Sequence, residues 1–253
     1  MSRRVLITAG ASGVGLAIAR IFDRDGWQIW VADVDATALK MVPEHWRRSL
    51  ADVTDETAVA AMFAEIAADW GGVDAVCANA GIAGPTAAVE DIELVDWQRC
   101  VAVNLEGTFL ISKHAVSMMK TSGTGAIIVT SSTAGQYGYP FRAAYSAAKW
   151  AVIGFAKTLA MEVGASGLRV NVICPGAVEG PRMEGVLERE AVAKGMSRDS
   201  VYKGYASGTA MGQFVEGADI GEMAVFLASD AARLVSGQVI AVDGFTVNPD
   251  PKV

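Results

Sequence analysis

Between Ser132 and Lys149 the chain reads STAGQYGYPFRAAYSAAK, and three residues in it are of types that handle protons. Ser132 follows an apolar, β-type run at residues 126–129. Tyr145 stands thirteen positions after Ser132 (145 − 132) and Lys149 four further on (149 − 145), in an Ala-rich segment of high helix propensity. A spacing of four on an α-helix puts both side chains on one face, so a phenol and an ammonium project into one volume. A free phenol titrates at about 10, and a neighbouring positive charge favours the phenolate, drawing it toward the range where a general base works. Ser132, at the end of its strand, would orient a substrate oxygen. The same spacing also arises between packed or solvated side chains on any helix, so its meaning depends on the elements that carry it.

Those elements can be followed from the N-terminus. Val5, Leu6 and Ile7 read as a short buried strand that runs into TAGASGVG, ahead of an amphipathic segment at residues 16–22. Gly10, Gly13 and Gly15 permit a tight turn. With Ser12 and Val14 they let backbone N–H groups approach a pyrophosphate at a helix N-terminus. A second strand, residues 28–32, ends in Asp33, 18 positions after Gly15 (33 − 15). A carboxylate there can accept from the adenosine ribose hydroxyls and would repel a 2′-phosphate, favouring NAD over NADP. The competing reading is a solvated turn aspartate. Residues 47–53 give a third strand closing in ADVTD, with Thr54 as N-cap of a helix running to about Trp70. A fourth strand, residues 74–78, ends in Asn79, Ala80 and Gly81. The helical stretch that follows, from about Ile92 to Met119, contains Asn104 and is broken at residues 123–125. Residues 126–130 form strand five, the Tyr/Lys helix continues to about Val163, and strand six, residues 169–173, ends at CPG. A helix at 219–227 and a strand at 238–242 complete the pattern.

Seven strands alternating with helices predict a single α/β domain over 1–253, a Rossmann-type doubly wound sheet of mainly parallel strands with ligands bound at their carboxyl ends. One long irregular insertion, at about 176–215, holds Arg182, Lys203, several aromatics and two helix-like pieces, and fits a mobile substrate lid.

Composition narrows the function classes. Hydrophobic residues make up 52%, which suits a sheet covered on both faces. The formal charge is −7, from 21 Lys and Arg against 28 Asp and Glu, and without a basic block nucleic acid is not expected as a partner. Cys77, Cys100 and Cys174 are widely separated and have no metal-ligand spacing, so buried free thiols, no metal and a reducing compartment are expected. Arg3 and Arg4 lead into only a short apolar run, unlike a signal peptide, and no run is long enough to span a membrane. A soluble cytoplasmic protein is expected.

Taken together, the glycine turn, Asp33, the Asp-Val pair at 52–53, Asn79-Ala-Gly81, Asn104, Ser132 and Tyr145-x-x-x-Lys149 stand in the order and at the spacings of the classical short-chain dehydrogenase/reductase family, which the chain resembles along nearly its whole length. The resemblance implies an NAD-dependent oxidoreductase that passes hydride between a secondary alcohol (polyol, sugar derivative or hydroxy acid) and the nicotinamide. Tyr145 would be the acid/base, Ser132 would steady the reacting oxygen, and Lys149 would lower the Tyr145 pKa and hold the nicotinamide ribose. Asn104 would hold a relay water. Asp52 and Val53 would meet adenine, Asn79 and Gly81 the adjoining ribose, and Pro175, Gly176 and Val178 the carboxamide. It also implies a homotetramer. Among substrate contacts, Arg182 could pair with an anionic group, and Gln136, Tyr137 or Arg142 could bond a polar one.

Three positions depart from the family pattern: Ala9 precedes Gly10 where a glycine usually stands, Gly180 occupies a place often held by Thr, and DGF at 243–245 replaces DGG. A 3-oxoacyl thioester reductase is a weaker reading, since the basic residues that choose NADPH are missing. Enoyl reductases of the superfamily space Tyr and Lys more widely. From another class, a non-catalytic NAD-binding regulatory module would have no need of Asn104, Ser132, Tyr145 and Lys149 together.

Overall fold

Short runs of β-branched and other apolar residues, each ended by a turn-forming residue, assemble into one sheet, and the Ala-, Leu- and Met-rich stretches between them cross it as helices. The computed structural model describes residues 2–249; the predicted domain limits also take in residues 1 and 250–253, which lie outside it. Strands β1 (Arg4–Thr8), β2 (Gln28–Asp33), β3 (Arg47–Leu50), β4 (Ala75–Ala78), β5 (Gly125–Thr130), β6 (Leu168–Pro175) and β7 (Val239–Val242) lie in the order β3-β2-β1-β4-β5-β6-β7. Every neighbouring pair is parallel. The order reverses between β1 and β4, and a crevice opens beyond the carboxyl ends of strands at such a switch.

Alternation along each strand builds two cores. Leu6, Val76, Ile127 and Val170 face one side, under α3 (Glu56–Trp70), α5 (Gly107–Ser122) and α6 (Ala143–Val163). Val5, Ile7, Cys77, Ile128 and Ile173 face the other, under α1 (Gly13–Arg24) and α9 (Gly217–Ala228). Both faces are covered, which is why the strands read as near-continuous apolar runs. Helices α1 and α9 pack closely at Gly221, where a Cβ would lie 2.6 Å from Ile21 Cγ1 and 3.4 Å from the Ala17 carbonyl oxygen. Cys77, Cys100 and Cys174 are buried and free. Among the described residues no helix is long and apolar enough to cross a membrane.

The structure corrects several boundaries. The third strand stops at Leu50, because the Asp52 carboxylate accepts from the Thr54 N–H (2.9 Å) and hydroxyl (2.7 Å) and turns the chain. The helix after it is capped by Asp55, not Thr54; Asp55 accepts from the N–H groups of Thr57 and Ala58. A short helix absent from the sequence reading, α2 (Ala36–Met41), is capped by Asp35 in the same way. The long helix is interrupted: α4 (Leu94–Val101) passes through a π-helical turn, Ala102–Glu106, before α5. The insertion at 176–215 is mostly ordered helix, α7 (Pro181–Lys194) and α8 (Arg198–Ser207), with a small core of Leu187, Ala191, Val201 and Phe214.

Candidate active site

Strand β5 and helix α6 set the reacting groups. Beyond Thr130, the Ser132 hydroxyl accepts from the Ala134 N–H (3.1 Å) and caps a 3-10 turn, Thr133–Gly135. The Ser131 hydroxyl donates to the Lys149 carbonyl (2.8 Å), and a Cβ on Gly135 would lie 2.6 Å from that same oxygen, so α6 docks tightly onto the end of β5. Tyr145 and Lys149 share the buried face of α6. The Lys149 ammonium is 2% exposed and donates to the Thr130 carbonyl at 2.9 Å.

Three cations surround the Tyr145 ring. The Arg142 guanidinium carbon lies 4.8 Å from the ring centroid, Lys149 Nζ 5.7 Å and the Arg182 guanidinium carbon 5.8 Å. Arg182 Nη2 donates to the Tyr145 oxygen at 3.5 Å. Burial pushes the phenol up, but Arg182, Lys149, Arg142 and a hydrogen bond from Ser132 outweigh it, and Tyr145 is lowered to about 8. Tyr139, nearby and partly buried, lacks this cage and is pushed up to about 12, chiefly by desolvation. Burial also pulls the Lys149 pKa below the ordinary lysine range, with repulsion from Arg182 adding to it and Tyr145 opposing it.

Asn104 sits in the π-helical turn, a distortion common at functional sites. Its Nδ2 donates to the Cys100 carbonyl (2.9 Å) and the Ile82 carbonyl (3.1 Å). Its buried Oδ1 has no hydrogen-bond partner among the described residues. A Cβ on Gly81 would meet that Oδ1 at 2.6 Å and Lys149 Nζ at 3.3 Å, so Gly81 leaves room where the two side chains converge.

At the amino end of α1 the glycine turn forms a cradle. Ser12 is the N-cap but makes no side-chain cap bond, and the first turn holds no acidic residue, leaving backbone N–H groups for an anion. Gly13 has φ 52°, and a Cβ on Gly15 would stand 2.0 Å from the Ala9 carbonyl oxygen. Ala9 itself takes φ 49° and Phe245 φ 61°, which accounts for the family's glycines at both positions. Ala9→Gly is therefore expected to stabilise the fold by up to about 1 kcal/mol, read from urea unfolding midpoints; a lower midpoint would contradict a strained turn. Gly180 precedes α7 with φ 138°, a conformation closed to Thr, so the helix begins differently from the family pattern.

A cleft of about 260 Å³ brings together Ser12, Gly13, Val14, Gly15, Asn79, Gly81, Ser132, Tyr145, Lys149, Pro175, Gly176, Val178 and Arg182. Gly10, Asp33, Asp52, Val53, Asn104 and Gln136 are not on its wall. Gly10 packs against Val31, Val53 packs under Gly107, and Asp52 pairs with Arg99 at 3.6 Å. Asp33 is buried, unlike a solvated turn residue; its carboxylate accepts from the N–H groups of Ala11 (3.2 Å) and Asp35 (3.1 Å), tying the glycine turn to the end of β2.

The structure adds wall residues that sequence reasoning missed, among them Ala9, Thr130, Tyr139, Met183, Val186 and Tyr205. It also fixes Arg142, whose Nη2 donates to the Ala83 carbonyl (3.2 Å) and whose Nη1 lies 3.8 Å from the buried Glu190 carboxylate. Tyr205 donates its hydroxyl to the same Glu190 oxygen at 2.7 Å.

A phosphate-type cradle at a switch point, opposite a caged phenol, defines a dinucleotide-dependent oxidoreductase of the doubly wound class. A family model described as enoyl-(acyl carrier protein) reductase matches residues 8–245. The chain is 36% identical over 250 residues to cis-4-hydroxycyclohexanecarboxylate dehydrogenase of Sinomonas cyclohexanicum, covering 96% of this chain and 95% of that one. It is 33% identical over 254 residues to D-beta-hydroxybutyrate dehydrogenase of Rhizobium meliloti (strain 1021), covering 96% and 98%. The structure of NAD+-bound xylitol dehydrogenase superposes with a TM-score of 0.93 at 27% identity, covering 96% and 98%. The chain belongs to the classical short-chain dehydrogenase/reductase family and is an oxidoreductase of alcohols and carbonyls.

Proposed function

We propose that the protein oxidises a secondary alcohol with NAD, Tyr145 being the acid/base. The reading rests above all on the buried Tyr145 phenol, drawn to about 8 by three cations beside the glycine cradle. In the oxidative direction the Tyr145 phenolate takes the hydroxyl proton while the Ser132 hydroxyl steadies the same oxygen. Lys149 keeps Tyr145 acidic, and Asn104, with Oδ1 unengaged beside Lys149, is suited to hold a water that carries the proton on. Gly13, Gly15 and the N–H groups of α1 would hold the cofactor pyrophosphate, Asp33 the adenosine ribose, Lys149 the nicotinamide ribose, and Pro175 to Val178 the carboxamide. When bound, the nicotinamide accepts hydride from the carbinol carbon.

Asp33, with no arginine after it, supports NAD over NADP. The substrate is a small polyol, sugar derivative or hydroxy acid, and the hydroxy acids named for two relatives favour the last of these. Residues 176–215 serve as its lid and Arg182 reaches it. The buried free thiols fit a cytoplasmic setting. Exposed Phe109 on α5 and Trp150 on α6 support a homotetramer joined through those helices. Light scattering at micromolar concentration should give four times the chain mass; a monomer would refute it.

The test is a spectrophotometric screen of these alcohols with NAD and, separately, NADP, run beside Tyr145→Phe. NADH formation confined to one substrate group and lost in the variant is the expected result. Turnover with NADP alone would overturn the cofactor assignment.

A further inference from the structure

Arg182 stands apart from the other arginines of the site. Arg142 faces the buried Glu190 carboxylate, which Lys194 shares at 3.3 Å, and is anchored on the Ala83 carbonyl, so it is a fixed part of the wall with a carboxylate beside it. Arg182 has no carboxylate partner among the described residues; its contacts are the Tyr145 oxygen at 3.5 Å and the Tyr145 ring. It lies in the first turn of α7, where the helix dipole adds to its positive charge. An unmatched guanidinium thus borders the cleft beside the reacting oxygen.

The wall around it is largely apolar. Met183, Val186 and the rings of Tyr139 and Tyr205 line this end of the cleft. Polar groups on the same wall already have partners, Thr133 with Tyr139 (2.9 Å), Tyr205 with Glu190 (2.7 Å) and Glu179 with Tyr202 (2.9 Å), so a polyol or sugar would compete with these bonds for each hydroxyl it buries. A compact carbon skeleton bearing one acid group meets both features.

Resting on the dehydrogenase reading above, we infer that the substrate is a hydroxy acid with an apolar body, whose carboxylate or sulfonate is taken by Arg182. Because Arg182 sits on the 176–215 segment, just after Gly180 at φ 138°, the acid group ties that segment down over the site. The neutral ketone or alcohol of the same skeleton lacks this tie.

The experiment pairs each acid with a neutral isostere: 3-hydroxybutyrate and 4-hydroxycyclohexanecarboxylate against their primary amides, and 2-hydroxypropanesulfonate against the methyl sulfone. Binding to NAD-saturated protein is measured by calorimetry on the wild type, Tyr145→Phe, Arg182→Gln and Arg182→Lys, and turnover on the same set. At least one acid is expected to bind about 10- to 100-fold tighter than its isostere, the range of a charge-assisted contact. Arg182→Gln should bring that ratio near one, and Arg182→Lys should restore part of it. Ratios near one for every pair, no binding of any acid, or a ratio unchanged in Arg182→Gln each overturn the inference. An acid preference kept by Tyr145→Phe and by a wild type that turns over no probe would support the anion site while counting against NAD-linked oxidation of these acids.

Discussion

Tyr145→Phe should lower kcat for alcohol oxidation by about 10²- to 10⁴-fold, the usual contribution of a positioned acid/base, while leaving NAD affinity almost unchanged. The ring keeps its packing among Cys100, Ala134 and Ala144, so the variant should fold as the parent does. The pH profile carries the sharper expectation. In the proposed reaction oxidation needs the phenolate, and the surrounding cations lower Tyr145 to about 8. Wild-type kcat/KM for oxidation should therefore climb tenfold per pH unit below that value and level above it. Reduction needs the protonated phenol, so its profile should run the other way and fall above about 8. In Tyr145→Phe both inflections should vanish, leaving a low, flat rate. Stopped-flow and steady-state assays across pH 6 to 10 measure this; an inflection that persists in the variant would assign the titration to another group.

The contrast between Tyr145 and Tyr139 shows what the sequence carried and what it did not. The four-residue spacing to Lys149 is local, so one cation of the cage was legible from helix geometry. The other two depend on tertiary structure. Arg142 reaches the ring from the N-cap of α6, after Phe141 turns the chain at φ 63°, and is steadied by Glu190, 48 positions away (190 − 142). No local period signals such a pairing. The succession of seven strands and a sheet covered on both faces were legible because apolar runs are local too, whereas the spatial order of the strands came only with the structure, and the errors fell where a side chain competes with the backbone. Asp52 captures the Thr54 N–H and ends a strand that propensity would extend. Asn104 donates its side-chain amide to the Cys100 carbonyl four residues back and stands in a π-helical turn, within a stretch whose composition reads as ordinary helix. Ala9 and Phe245 depart from the family pattern, and only their positive φ angles explain what glycine does there in the family.

Lys149→Met should separate catalysis from stability. The substitution keeps most of the apolar stem and removes the ammonium, which lies 5.7 Å from the Tyr145 ring centroid and is buried to 2% exposure. Without it Tyr145 loses one of the cations that offset its burial, so the inflection in the oxidation profile should move up from about 8, and kcat at neutral pH should fall by about 10²-fold. On the cofactor role proposed for Lys149, NAD should bind more weakly as well. Stability should move the opposite way or hardly at all. The ammonium gives up its hydration for one hydrogen bond to the neutral Thr130 carbonyl, and its depressed pKa reflects that desolvation. Below pH 8 Tyr145 is mostly uncharged, so removing Lys149 strands no opposite charge, the situation that makes breaking a buried ion pair expensive. A melting temperature equal to or above the parent's, together with a collapsed rate, would mark Lys149 as strain held for chemistry. A parallel fall in both would mean that the Lys149–Thr130 contact holds α6 on β5, and that the lost rate follows from a displaced Tyr145.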